Sequence, residues 1–261
     1  MDRKELLDRA SSPEDRVFIA RMLDKIQLAG KKCETVVTDF CDPYQQGMIS
    51  PVLSKVPGIS FIWQGGYQMA ERQRLVVCPD FLDSSEGDAE ITAISVTGNF
   101  KFQQVTHRDY LGAILGLGIK REKIGDLLVT EQGCQLVVDQ EIAEYIILNL
   151  TKVHRLNVKV EPISINELEL PEEKVREVFA TVPSLRLDAV AAVGFGVSRS
   201  KMAGEIAAEK VRVNWNTVSE GSYTVKVGDR ISARARGRIE VHEIRVETKK
   251  GRIPVLIKRY Q

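Results

Sequence analysis

The chain has 261 residues, 43% hydrophobic and 28% charged, with a formal net charge of +1, which leaves room for two or three small domains and an ample core. No apolar run reaches the roughly eighteen residues of a membrane span, and the charged, polar start is unlike a secretory signal, so a cytoplasmic protein with no membrane partner is expected. Cys33, Cys41, Cys78 and Cys134 are scattered without a C-x-x-C pair and His107, His154 and His242 are isolated, which excludes a disulfide framework and any recognisable metal motif, and predicts buried thiols in a reducing compartment.

The first 30 residues read as helix. Ser12-Pro13-Glu14-Asp15 supplies an N-cap, a proline at the first helical position and acids in the first turn, and Val17, Phe18, Met22, Leu23 and Ile26 trace an apolar stripe. Residues 34–40 read as a strand. Asp42-Pro43 starts a second helix running towards Val56, Ile59–Trp63 is strand-like, Gly65-Gly66 turns the chain and Arg74–Cys78 returns. A small α+β domain over residues 1–79 is expected. Its polar loop, Gln64–Tyr67 followed by Ala70–Arg74, reads equally as an ordinary hairpin or as a segment touching a partner.

Asp80 to Asp88 reads as a linker. Over 89–163 the order is strand (Ile91–Val96), helix (about His107–Leu117), strands (about Asp126–Thr130 and Cys134–Val138), helix (about Gln140–Leu150) and strand (about Leu156–Pro162). This is the β-α-β-β-α-β succession of a ferredoxin-like sandwich, as in RNA-recognition motifs. Thr106 and Asp139 suit as N-caps, and Glu131-Gln132-Gly133 suits a hairpin. Such RNA-binding domains stack bases on aromatics of the first and third strands. Here those strands, I-T-A-I-S-V and C-Q-L-V-V, hold none, so the stacking platform is absent. Basic residues His107, Arg108, Lys120, Arg121 and Lys123 surround a helix in which Gly112 and Gly116 are expected to allow close packing. Gly116-Leu117-Gly118 is not a dinucleotide fingerprint, because Lys120-Arg121 stands where its next glycine is needed. Phosphate-loop, nucleophile-elbow and zinc-protease motifs are missing too, so no cofactor is expected.

Residues 164–183 read as a connector punctuated by Pro171 and Pro183 and carrying solvated Glu167, Glu169, Glu172 and Glu173, with Val175, Val178, Phe179 and Val182 able to pack locally. In 184–261, Ser184 is expected to cap a helix bearing Leu185, Leu187, Val190 and Val193. Gly194-Phe195-Gly196 reverses the chain, and Ser198 caps a second helix with Met202, Ala203, Ile206 and Ala207. Arg199 and Lys201 fall in that helix's first turn, where each should cost about 0.3–1 kcal/mol against the dipole. With unpaired first-turn N–H groups they would concentrate positive charge for an anion. Val211–Trp215 reads as a strand with Arg212 and Asn214 on its polar face, and Tyr223, Val225 and Val227 alternate in the next. Ile231, Ala233 and Ala235 then point inward, so Ser232, Arg234 and Arg236 line an outward face that Arg238 joins if Gly237 does not bulge the strand. A phase slip near His242 and a final strand, Ile253 to Tyr260, complete the chain. Residues 184–261 carry 16 Lys and Arg against 8 Asp and Glu, a net +8, whereas 1–183 carry 21 against 28, a net −7. That polarity points to nucleic acid.

S-L-R-L-D (184–188), S-R-S-K-M-A (198–203), V-R-V-N (211–214) and V-G-D-R-I-S (227–232) resemble the S-four RNA-binding domain, a module also found in pseudouridine synthases and tyrosyl-tRNA synthetases. The resemblance implies that Arg186, Ser198, Arg199 and Lys201 face RNA phosphates, with Arg212, Asn214, Arg234, Arg236 and Arg238 extending the surface. Glu209-Lys210 stands where the module has a glycine, and Ala235 replaces another in R-A-R-G-R. Nearly the whole chain resembles the bacterial YlmH family, also known as photosystem II S-four domain proteins, through T-D-F (38–40), G-G-Y (65–67), A-E-R-Q-R (70–74) and T-H-R-D-Y-L-G-A-I-L-G-L-G-I-K-R-E-K-I-G-D (106–126). This implies a ribosome-associated factor in rescue of large subunits blocked by peptidyl-tRNA, with a secondary RNA contact at His107, Arg108, Lys120 and Arg121. The competing reading is an RNA-modifying enzyme of pseudouridine-synthase type. Arg186-Leu187-Asp188 matches that family's R-L-D by letters but falls in the RNA-binding helix, and the threonine and glycine pattern does not follow it. The expectation is an α+β chain of three small domains, 1–79, 89–163 and 184–261. It is a non-catalytic protein with structured RNA (rRNA, tRNA) and the ribosomal large subunit as partners.

Overall fold

The computed structural model describes residues 3–8, 10, 12–32, 34–82, 88–100, 105–170, 175–246, 248 and 251–260. Cys33, most of the expected linker after Asp80, and Pro171, Glu172 and Glu173 lie outside them. The chain divides into two compact units, residues 1–171 and 172–261.

In the first unit a short helix α1 (Arg3–Asp8) precedes α2 (Pro13–Lys32). Ser12 accepts a hydrogen bond from the Asp15 N–H at 3.1 Å, the capping role its position predicts. β1 (Val36–Cys41), α3 (Pro43–Leu53), β2 (Ile59–Gln64) and β3 (Gln73–Pro79) follow, and the strands pair antiparallel in the order β1-β3-β2. Asp42 and Gln45 close a capping box at the start of α3. Ile19, Met22, Leu23 and Ile26 of α2 pack with Ile49, Leu53, Leu75 and Val77.

Next come β4 (Ile91–Gly98), α4 (His107–Gly116), β5 (Ile124–Val129), β6 (Gly133–Asp139), α5 (Gln140–Asn149), β7 (Lys152–Val153) and β8 (Leu156–Ile163), in a sheet ordered β5-β6-β4-β8-β7. The β-α-β-β-α-β succession read from the sequence is present. One face, with Ile94, Val96, Leu136 and Val138, packs on Ile114 of α4 and Ile146 of α5. Gly112 and Gly116 do not serve close packing: a Cβ at either would meet nothing within 4 Å.

The alternate face is covered as well as lacking aromatics. The Gln135 side chain donates to the Glu167 carbonyl at 3.4 Å and accepts from the Glu169 N–H at 2.6 Å, so the segment after β8 is tied to it. A Cβ on Gly66 would sit 3.4 Å from a Val137 methyl, which places the β2–β3 loop against the same face. That loop is neither a plain hairpin nor a free arm. Asp126 of β5 accepts from the Tyr67 hydroxyl at 2.8 Å and from the N–H groups of Glu71 and Arg72 at 2.7 and 3.1 Å. Buried Arg74 donates to the Thr38 and Glu90 carbonyls at 2.6 and 2.8 Å and lies 3.3 Å from Asp139. Lys123 bridges Asp139 at 2.6 Å and Asp39 at 3.1 Å. Buried charges such as Arg74 and Asp139 need partners of this kind, and here the partners come from both sheets. The two sheets therefore belong to one compact unit.

The second unit contains β9 (Val175–Val182), α6 (Leu187–Phe195), α7 (Arg199–Ala207), β10 (Val211–Val213), β11 (Asn216–Thr217), β12 (Arg230–Ala233), β13 (Gly237–Ile244) and β14 (Ile253–Tyr260), in the order β11-β10-β12-β13-β14-β9. Part of the stretch read as a connector is thus a strand: β9 pairs with β14 from Val175↔Tyr260 to Val182↔Ile253. Val178, Ala180 and Val182 alternate onto the core, the period-two signal that the neighbouring prolines and acids obscured. The core joins Leu187, Val190 and Phe195 of α6 and Met202 and Ile206 of α7 to Val211, Ile231, Ile239 and Ile257. The phase slip expected near His242 is a register shift between Val241 and Glu243.

Candidate nucleic-acid interface

In the second unit, α6 begins two residues later than its sequence cue. Arg186, not Ser184, is the N-cap. The N–H groups of Leu187 and Asp188 donate to the carbonyls of Tyr223 and Gly221 at 2.7 and 3.1 Å, so this helix start is closed by its own loop. The Asp188 carboxylate accepts from Arg186 Nη2 at 2.9 Å and from Arg199 Nη2, 3.0 Å from its Oδ1. Burial pushes the Asp188 carboxyl up, and the bonds from Arg186 and Arg199 more than reverse this, leaving its pKa below the usual carboxylate value. The Arg186 and Arg199 side chains remain 41% and 49% exposed. Each guanidinium therefore keeps an edge open to solvent while Asp188 fixes its position.

Gly196, at φ +67°, ends α6 in the left-handed region, and Ser198 caps α7 by accepting from the Lys201 N–H at 3.3 Å. That bond uses one of the first-turn donors expected to await an anion. Arg199 does not stand alone against the dipole either, because Asp188 offsets its charge. Lys201 is exposed and has no ion pair among the described residues.

The expected strand faces are partly different. Arg212 projects from β10 between buried Val211 and Val213, as read. Asn214 and Trp215 instead form the turn from β10 to β11, with φ +48° and +66°. Two successive positive φ angles define the two-residue turn that matches strand twist, and asparagine tolerates them. Asn214 is also spent within the fold: its Nδ2 donates to Asp229 at 2.9 Å and its Oδ1 accepts from the Arg230 N–H at 2.9 Å. Around Tyr223–Val227 there is no regular strand, only a bridge from Thr224 to Arg186.

β12 stops at Ala233 and pairs with Gly237, so Arg234, Ala235 and Arg236 are a hairpin turn and not a continuing strand. Ala235 lies at φ +63° and Gly237 at φ +89°. Arg236 is held bidentately by Glu205 of α7 at 2.6 and 2.7 Å, Arg238 lies 4.6 Å over the Tyr260 ring, and Arg234 stays exposed. The single row of arginines is therefore replaced by separate positions on a helix start, a strand and a turn. Glu209, in the place read as glycine in the S-four module, adopts φ +56° just after α7.

In the first unit, His107 and Arg108 open α4 behind a Thr106–Asp109 capping box, and Lys120 is exposed, 3.9 Å from Glu122. Arg121 turns inward: its Nη1 donates to the carbonyls of Ile124 at 2.5 Å and Gly125 at 3.1 Å. Burial, then the nearby Arg72 charge, lowers its pKa to about 10. The surrounding protein and then Arg121 lower the His107 pKa, although its side chain reaches solvent. Buried Cys41 and Cys134 have thiols pushed up to about 12, chiefly by burial, and so are not reactive nucleophiles.

Residues 14–82 match the family model of the YlmH N-terminal region, residues 84–167 that of a putative RNA-binding domain in YlmH, and residues 185–231 the S4 domain. Over 246 residues the chain is 35% identical to the ribosome-associated protein quality control protein P2 of Bacillus subtilis (strain 168), covering 94% of this chain and 95% of that protein. The chain belongs to the YlmH family. A solved structure titled cell division protein ylmH from Streptococcus pneumoniae is similar at 28% identity, with a TM-score of 0.51, over 61% of this chain and 96% of that one.

The chain thus joins a YlmH-type N-terminal region and one putative RNA-binding domain to an S4 domain. Motif reading missed three residues that organise its cations. Asp188 figures in the sequence only within S-L-R-L-D and as an enzyme-like letter match, Arg72 only within the polar 70–74 loop and its A-E-R-Q-R motif, and Glu205 in no motif. Only Glu205 had a sequence cue, since it lies one helical turn beyond Lys201. The other two act through contacts that spacing alone does not reveal.

Proposed function

We propose that this YlmH-family chain is a non-catalytic cytoplasmic protein that recognises structured RNA, ribosomal or transfer, through its S4 module. On this reading it acts at the ribosomal large subunit in the rescue of blocked subunits. The observation that carries the reading is the pair of guanidiniums, Arg186 and Arg199, held on one buried carboxylate beside exposed Lys201. Cations fixed before binding lose less freedom when they meet phosphates. On this reading exposed Arg212 and Arg234, and Arg238 over the Tyr260 ring, extend the RNA surface, while Ser198, Asn214 and Arg236 hold its helix start and turns in place. The name of the Bacillus subtilis relative supports the ribosomal setting.

Asp188 bears on the enzyme alternative. A catalytic aspartate must reach its substrate, whereas Asp188 is 5% exposed and both its oxygens are engaged by arginines. Crosslinking followed by sequencing of the bound RNA tests the reading, and recovery of large-subunit rRNA and tRNA is expected. Tritium-release assays for pseudouridine formation and assays with S-adenosylmethionine should show no turnover. Activity that disappears in Asp188→Ala would overturn the non-catalytic assignment.

A further inference from the structure

Arg72 and Arg121 meet on one oxygen. Arg72 Nε and Arg121 Nη1 both donate to the Ile124 carbonyl, at 2.9 and 2.5 Å. Arg72 Nη2 is also anchored on the Phe40 carbonyl at 3.0 Å, and Arg121 Nη1 on that of Gly125 at 3.1 Å. Main-chain oxygens fix both guanidiniums, yet neither forms an ion pair among the described residues. Two like charges so close and half-buried repel; the Asp42 and Asp126 charges offset part of this repulsion, but both carboxylates spend their hydrogen bonds elsewhere. Asp126 binds the Tyr67–Arg72 loop, Asp42 caps α3 and Glu122 faces Lys120. Arg72 Nη1 and Arg121 Nε and Nη2 have no partner among the described residues.

We propose that Arg72 and Arg121 form a phosphate site in the first unit that binds a backbone phosphate of RNA. Guanidiniums oriented in advance suit the oxygens of a phosphate better than a mobile lysine would. The surroundings favour a nucleic-acid chain over an isolated ion. Arg108 and Lys120 are exposed on the same helix–turn segment, and exposed Gly112 and Gly116 present no side chain to hold a polymer away. The source of the phosphate rests on the RNA-binding reading above; the site itself rests on this geometry.

The full-length chain is titrated with folded tRNA at several salt concentrations, as wild type, Arg121→Gln, Arg121→Lys and the S4 double variant Arg199→Ala, Lys201→Ala. Each phosphate contact contributes about 0.7–0.9 to the log–log salt slope. Arg121→Gln should lower the slope by about that amount, while Arg121→Lys should keep the slope and bind more weakly. If Arg121→Gln fails to fold in a thermal melt, Arg121→Lys decides, and unchanged affinity in it overturns the site. A slope that falls only in the S4 double variant removes the site and leaves the S4 reading standing. A slope that falls only in Arg121→Gln supports the site and overturns the S4 reading. Inorganic phosphate, followed by phosphorus NMR, separates the sources: binding lost in Arg121→Gln while the RNA slope is unchanged overturns RNA as the ligand. Polyglutamate is the control for acidic protein, and a loss of its binding equal to that of tRNA overturns the phosphate assignment.

Discussion

Arg199 Nη2 lies 3.0 Å from Asp188 Oδ1, although the two residues are eleven apart in sequence and sit on different helices. The contact ties the start of α7 to the start of α6 and makes Asp188 a positioning residue for two exposed cations. Replacing Asp188 by asparagine removes the charge but leaves the shape. Because the arginines are largely solvated, the loss of stability should be about 1 kcal/mol, below the range of buried charged hydrogen bonds and at the upper end for exposed ion pairs. The carboxyl is depressed in the folded state, so its contribution is present above the ordinary carboxylate pKa near 4 and is lost as pH falls through the folded value. Melting curves of the two proteins should differ at neutral pH and converge in acid.

Asp126 carries the opposite sign. Burial raises its pKa, and the bonds from Tyr67, Glu71 and Arg72 only partly counter it. Stability linked to this group should therefore fall as pH rises from about 4 through the raised value. Asp126→Asn removes that pH dependence but cannot accept all three donors, since one side-chain oxygen becomes an NH2 group. An unsatisfied N–H in the loop should cost about 1–3 kcal/mol. A melting temperature equal to wild type at neutral pH would show that the loop is held by other contacts.

The outcome at particular residues shows what the sequence could carry. The ferredoxin-like succession was legible because Ile94, Val96, Leu136 and Val138 keep a period of two against helices with clear caps. Ser198 and Asp42 were legible as caps because capping is local. Asn214 and Arg236 were misplaced because a strand was extended through residues that turn. Arg212 and Asn214 share alternation by letters, and only the backbone shows that Asn214 has left the strand. β9 was hidden by the acids and prolines around it. The Arg72–Arg121 approach spans 49 residues of sequence and joins two sheets, so no local pattern encodes it.

Glu209 tests one of the two departures from the S4 pattern. At φ +56° it occupies a conformation that costs a residue with a Cβ roughly 1–2 kcal/mol. Glycine removes that strain but adds freedom to the unfolded chain, offsetting about 0.4–1 kcal/mol. Glu209→Gly should therefore stabilise the protein by about 0–1.6 kcal/mol. A lower midpoint in denaturant would mean that Glu209 makes a favourable contact outweighing its backbone strain.

Arg199 and Lys201 share the first turn of α7 but should not behave alike. Lys201 has no ion pair among the described residues and stands against the helix dipole, so Lys201→Ala should leave stability unchanged or raise it by about 0.3–1 kcal/mol. Arg199 is held by Asp188, so Arg199→Ala should destabilise, leaving a buried carboxylate with Arg186 as its remaining partner. On the RNA reading both substitutions lower the salt slope, each by about 0.7–0.9. The two effects are separable on one pair of purified variants, by thermal melts and by RNA titrations at several salt concentrations. Opposite signs in the melts with similar falls in slope are expected. If Lys201→Ala leaves the slope unchanged, the exposed cation of this helix start does not meet phosphate, and the S4 surface must be redrawn around Arg212 and Arg234.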